Sequence, residues 1–353
     1  MGWRNPPVPW SELERRLSDR PADADSGDSP AWSKARGAYR APVVAAPSRS
    51  ASTPYAELHC HSNFSFLDGA SHPEELVEEA ARLGLEALAL TDHDGVYGVV
   101  RFAEAAAALG MPTVFGSELT LELPRRLQNG IADPQGVHLV VLARDPEGYA
   151  RLCRAVSAAH LAGGEKGLPR TDLARLAGAH GGHWQVLTGC RKGTVPAALA
   201  WAGPAAAAAE LGRLVDAFGR DNVAVELWDH GDPLDSARND ALAALAVRAG
   251  VDVVATNNVH YATPARWPLA TALAAVRARR SLDEIDGWLP ASGAACLRSG
   301  AEQARRFARY PGVVERAAEM ARACAFDLRL VAPDLPDCPV PEGHTEMTWL
   351  REL

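Results

Sequence analysis

From Tyr55 onward, short apolar runs alternate with alanine-rich stretches of helical period. Seven runs read as strands: YAELHCH (55–61), LEALALTDH (85–93), PTVFGSELTLEL (112–123), VHLVVLAR (137–144), HWQVLTGC (183–190), NVAVELW (222–228) and DVVATNNVH (252–260). Between them, HPEELVEEAARLGL, RFAEAAAALG, DPEGYARLCRAVSAAHL and DSARNDALAALAVRAG carry apolar residues at the spacing of one helix face. Pro73 and Pro146 stand where helices should start, and Gly84, Gly110 and Gly250 where they should stop. Regular alternation of strand and helix predicts an α/β fold with a parallel sheet, compatible with a closed barrel or a doubly wound sheet.

The flanks break this pattern. Residues 1–53 are rich in Pro, Ser, Ala and Asp without a sustained apolar period, which predicts a mostly disordered tail. Within it, PWSELERRL offers Ser11 as a helix N-cap and Glu14 as its capping-box partner. Beyond the α/β region, residues 54–290, LRSGAEQARRFARYPGVVERAAEMARACAFDL predicts two helices. A Pro-rich stretch, VAPDLPDCPVPEGH, follows, and TEMTWLREL reads as a helix cut off near its start. Residues 291–353 are therefore expected to be a linker and the truncated opening of a further region.

Composition narrows the class. The 353 residues are 47% hydrophobic, enough for a packed core. No apolar run approaches the ~18 residues of a membrane span, and the N-terminus lacks the order of a secretory signal. Six cysteines without a CxxC pair read as reduced thiols of a cytoplasmic protein. A net charge of −8 weighs against a strong nucleic-acid grip by this chain alone, though not against work beside a basic partner.

The chemistry sits at the strand ends. In YAELHCHSNFSFLDG, His59 and His61 lie two apart and share a face, Cys60 looks the other way, and Asp68 follows. By itself the HxH pair does not separate a metal pincer from hydrogen-bonded histidines. The second strand ends in TDHDG, with Asp92 and His93. Glu118 lies on the third strand, His138 opens the fourth, Cys190 closes the fifth, and Asn258 and His260 close the seventh. Parallel α/β folds collect their sites at the C-terminal ends of strands, so most of these residues should converge. His138 fits that rule least well. His72, His160, His180, His183, His230 and His344 read as helix, loop or surface residues. Glu226, Asp229, Asp232 and Asp235 of ELWDHGDPLD read as a solvated loop.

In order, HCHSNFSFLDG, LALTDHDGVYG, VFGSEL, HLVVLAR, LTGC and ATNNVHY resemble the motifs of the polymerase-and-histidinol-phosphatase (PHP) domain. More narrowly, they resemble that domain as it begins bacterial C-family DNA polymerases of the polymerase III alpha type. GWRNPPVPWSELERRL and the asparagine of TNNVHY resemble the error-prone, damage-inducible branch, and the segment from FARYPG to the end is similar to the join with the polymerase palm.

This resemblance implies a distorted seven-stranded (β/α) barrel carrying up to three divalent metals: zinc, manganese or iron. The implied ligands are His59, His61, Asp68, His93, Glu118, His138, Cys190, Asn258 and His260, with Asp92 behind them and Cys60 as packing. The family usually has Asp where Asn258 stands, and an amide oxygen ligates without bringing charge. The implied activity is metal-dependent hydrolysis at DNA 3′ ends, weak because of Asn258, or a structural centre without turnover. The alternative is a stand-alone PHP phosphatase, against which residues 291–353 argue. No palm carboxylate cluster appears, so polymerisation with magnesium, for translesion synthesis and repair, is expected of a region this chain lacks. DNA is the expected partner of the full-length polymerase, and a sliding clamp and mutasome accessory proteins are expected beyond residue 353.

Overall fold

Seven strands lie side by side in the order in which the sequence writes them: β1 (Ala56–Glu57), β2 (Ala87–Leu90), β3 (Thr113–Leu121), β4 (Val137–Ala143), β5 (Trp184–Leu187), β6 (Val223–Leu227) and β7 (Asp252–Ala255). This computed structural model describes residues 39–44, 53–121, 136–164, 167–285, 289, 292–328 and 339–353. The Ser11–Glu14 capping box, nearly all of the 1–53 tail and much of the Pro-rich stretch lie outside the described residues.

The expectation of an all-parallel sheet needs one correction. β1, β2 and β3 are parallel, as are β5, β6 and β7, but β4 runs antiparallel to both β3 and β5. A parallel neighbour needs a crossover that packs on the sheet, usually a helix. The sequence between β3 and β4, ELPRRLQNGIADPQG, has Pro and Gly breaks and none of the apolar helical period of the other connectors.

Helices cover the sheet: α1 (Pro73–Leu83), α2 (Val99–Leu109), α3 (Pro146–Gly163), α4 (Leu173–His180), α5 (Thr194–Ala202), α6 (Pro204–Phe218), α7 (Asp235–Ala249) and α8 (Trp267–Ala278), followed by α9 (Gly300–Arg306), α10 (Val313–Cys324) and α11 (Glu346–Glu352). Pro73 and Pro146 do open helices, and Gly84, Gly110 and Gly250 end them in the left-handed conformation. Every residue of β2, β3, β5 and β6 is buried, as expected of strands with side chains covered on both faces. Fully buried Leu58, Leu88, Phe102, Phe115, Leu139 and Trp184 anchor the core. Burial of each such aliphatic or phenyl side chain contributes about 1.5–3 kcal/mol. The predicted helices after residue 290 are present, and α10 packs against β7, β1 and β2.

Among the described residues, the first and last strands of the sheet are bridged at one rim. There Cys60 bridges Val259, with His61 N donating to Val259 O (2.7 Å) and Val259 N donating to His59 O (2.8 Å). The curled sheet is thus closed by the very residues that carry the histidines.

Candidate metal centre

The extension of β1 is pinned to β2 by Thr91. Cys60 N donates to Thr91 Oγ1 (2.9 Å), and Thr91 N donates back to Cys60 O (2.8 Å). Cys60 is buried, while His59 and His61 turn towards the rim. The chain then folds into a tight loop in which Ser65 N donates to Ser62 O (2.9 Å) and Asp68 N to Ser65 O (2.9 Å). Gly69 is required here because a Cβ would fall 1.9 Å from Ser62 O. Asp92 holds the loop in place. It accepts from Ser62 N (2.7 Å), Ser65 Oγ (2.7 Å) and Ser62 Oγ (2.8 Å). Ser65 Oγ in turn lies 3.3 Å from His61 Nδ1 and accepts from His93 N at 3.1 Å. Asp92 therefore orients the site through Ser65.

Glu118 lies at the middle of the constellation. Its Oε1 is 3.4 Å from His59 Nε2 and 3.9 Å from Cys190 Sγ. Its Oε2 is 3.4 Å from His61 Nε2, 3.2 Å from His93 Nδ1 and 3.2 Å from His138 Nδ1. Asp68 makes the outer corner, with Oδ2 2.9 Å from His260 Nδ1 and 3.4 Å from His93 Nε2. Three triads, His59–His61–Glu118, His61–Asp68–His93 and His93–Glu118–His138, each offer donor atoms within 4.8 Å of one another. Asn258, with a left-handed φ of 42° that asparagine tolerates, lines the adjoining cleft beside Asp68, Cys190 and His260. All nine sequence-selected residues thus lie at one rim or on the cleft that opens from it. The reversal of β4 explains His138: the N-terminal end of that strand lies at the same rim as the C-terminal ends of its neighbours.

The electrostatics are those of imidazoles and carboxylates packed together away from water. Burial works against charge throughout, and the neighbours decide the outcome. His59 is disfavoured as a cation by burial, yet Glu226 and Glu118 hold its pKa well above the usual imidazole value. His93, also opposed by burial, is raised to about 9 by Glu118 and Asp68. His61 is driven well down by burial and by His93. Burial would raise Glu118 and Asp68, but the imidazoles around them hold both carboxyls well below the ordinary range. Burial and Glu118 push the Cys190 thiol up to about 12. His59 Nε2 and His61 Nε2 are 3.1 Å apart. Two lone pairs that close repel unless a proton or a cation lies between them.

Buried donor atoms test the fit of a metal. Asp68 Oδ2, His138 Nδ1 and Asn258 Oδ1 make no directed hydrogen bond although they are buried. Orphaned buried polar atoms are costly, and metal ligation is one way to satisfy them. Mixed nitrogen, oxygen and sulfur donors suit zinc, and the histidine–carboxylate corners suit manganese or iron as well. A cavity of about 480 Å³ adjoins the rim, lined among others by Arg191, Trp228, His230, Trp267 and Arg277.

Two acids escaped the sequence reading. Glu226 does not belong to a solvated loop: it lies on β6, is fully buried, and accepts from His59 Nδ1 at 2.7 Å. Asp235 is buried at the start of α7, so that reading fails there too. The missed signal for Glu226 was its place inside the apolar run NVAVELW. Glu57, also fully buried, accepts from Tyr55 Oη (2.6 Å), His59 N (2.9 Å) and Asn257 N (2.9 Å), tying β1 to the end of β7. Burial raises its pKa to about 7. His230, read as a loop residue, is half-buried with Nε2 2.6 Å from Asn257 O.

Comparison with known proteins agrees with this architecture. The family described as the PHP domain matches residues 57–230. An "Error-prone DNA polymerase" of Mycolicibacterium paratuberculosis is 58% identical over 357 residues, covering 100% of this chain and 32% of that protein. The corresponding proteins of Mycobacterium tuberculosis and Cutibacterium acnes are 58% and 55% identical, over 100% of this chain and 32% and 31% of their own lengths. The chain spans about a third of the length of these curated relatives. The family's match thus runs from β1 through β6, the same stretch of sheet at whose rim the donors gather.

Proposed function

We propose that this chain is the PHP-domain part of an error-prone DNA polymerase, and that its rim holds up to three divalent metals. The proposed ligands are His59, His61, Asp68, His93, Glu118, His138, Cys190, Asn258 and His260. The observation that carries this is the Glu118 carboxylate, 1% exposed, with its two oxygens turned to different sets of donors. A carboxylate in that position would be a ligand shared by the inner donor sets, supplying them with negative charge.

Bound divalent ions would supply Lewis acidity and a water of lowered pKa, the needs of phosphoester hydrolysis. The chain's own residues do the rest. Glu226 fixes His59 through Nδ1 and leaves Nε2 for the rim, and Asp92 does the same for His61 through Ser65. The adjoining cleft, with its arginines and tryptophans, offers groups for a phosphate and for a base. The favoured activity is slow hydrolysis at DNA 3′ ends, weak because Asn258 brings no charge.

Polymerisation with magnesium, translesion synthesis and repair, DNA binding and contacts with a sliding clamp and accessory proteins are assigned to the longer polymerase, in the cytoplasm. Among the described residues no helix is long and apolar enough to cross a membrane.

Metal analysis and incubation with 3′-labelled DNA in manganese or zinc test the reading. Bound metal and slow release of the label are expected, both abolished by His61→Ala. A chain purified metal-free from metal-replete medium overturns the metal centre, and full loading without hydrolysis leaves it a structural one.

A further inference from the structure

The centre is graded from dry to wet. His59, His61 and Glu118 have side chains 0–1% exposed, whereas Asp68, His93 and His260 are 19%, 25% and 24% exposed. At this wetter corner Asp68 already has a cation. Arg277 on α8 donates from Nη1 to Asp68 Oδ1 at 2.6 Å, and the same nitrogen lies 3.2 Å from Leu67 O. Leu67 has a φ of 61°, unfavourable for a non-glycine residue, and the guanidinium helps to hold that turn. Asp68 Oδ2 remains directed at His260 and His93 without a hydrogen bond.

Charge decides how these features combine. As ligands, Asp68 and Glu118, with Cys190 once a metal displaces its proton, would supply three negative charges against six positive for three divalent ions. Asn258 adds none, and Arg277 adds one more positive charge beside the carboxylate that the outer ion needs. From this geometry, and resting on the reading of the rim as a metal centre, we infer that Arg277 is a resident counter-cation. It competes with the divalent ion at Asp68 and makes that ion the weakest and most exchangeable of the cluster. The ion-pair contacts given above for the inner residues His59, His61, His93, Glu118 and His138 are with one another and with carboxylates. Arg277 is thus a positioning residue that sets metal stoichiometry.

Equilibrium dialysis against graded zinc or manganese, with metal per chain read by atomic emission, tests this on wild type, Arg277→Met, Arg277→Gln and Arg277→Lys. Wild type should load in two steps, tight and then weak. Both neutral variants should shift the weak step to at least about tenfold lower free metal, as expected for removal of a unit charge close to the ion at a solvent-screened corner. Arg277→Lys should stay nearest wild type. The two neutral variants guard against a folding defect in one, which would abolish the tight step as well. A weak step unmoved, or moved to higher metal, in the neutral variants overturns the inference while the metal centre stands. No metal on wild type overturns the centre, and this inference with it.

Discussion

His138 Nδ1 lies 3.2 Å from Glu118 Oε2 although their strands run in opposite directions. In the antiparallel register His138 stands opposite Thr120, so it is the diagonal neighbour of Glu118 on one face of the sheet. A parallel β4 would have carried His138 to the far end of the sheet. Reversal of one strand therefore adds the fourth imidazole around Glu118, and the bridge from His138 to Gly193 brings the turn after Cys190 to the same place.

Glu118→Gln keeps the shape of that central side chain and removes its charge. Metal bound per chain should fall below one ion under conditions that saturate wild type. The thermal stabilisation by metal should vanish with it, which for wild type at about 100 times Kd corresponds to about 2.7 kcal/mol. Calorimetric melting with and without metal checks this, and equal stabilisation in the variant would refute a ligand role.

Glu226 touches no proposed metal position, yet it fixes the ring of His59. Glu226→Gln should weaken metal affinity by about 10–100-fold, the usual effect of losing an orienting carboxylate behind a histidine ligand. Competition with a chelator of known affinity measures the change. Wild-type affinity would mean that burial alone orients His59.

The raised pKa of His93 makes stability fall with rising pH in the metal-free chain and not in the loaded one. In the metal-free chain His93 titrates at about 9 instead of 6.5, so its stabilising contribution is complete below pH 6.5 and is lost as pH rises through about 9. The metal-free chain should therefore lose melting temperature between pH 6.5 and 9. The loaded chain should not, because the metal replaces the proton. Loading near pH 8 should also release protons, detected as a dependence of binding heat on the ionisation enthalpy of the buffer.

Asn258→Asp restores a charge at a left-handed position that aspartate also tolerates. Metal occupancy should increase, and with it any hydrolysis of 3′-labelled DNA. Equal metal content in the two proteins would show that the missing charge is not what limits loading.

Much of this protein was legible from its residues alone. The apolar runs, the helical connectors and their Pro and Gly punctuation locate the strands and helices, because those signals are local. HxH on one strand, Asp68 in the stretch after it, Glu118 on the third strand, and His93 and His260 at other strand ends already point to one rim. Tertiary structure decided the rest. The connector before β4 lacks a helical period, but the direction of that strand and hence the place of His138 are fixed only by its pairing with β3 and β5. Glu226 looked like part of an acidic loop; its place in the apolar run NVAVELW sets it apart from Asp229, but its contact with His59 shows only in the tertiary structure. Arg277 meets Asp68 from 209 residues away, and a contact at that separation leaves no pattern along the chain. Local periodicity determined the elements, and packing across the curled sheet determined which charges meet.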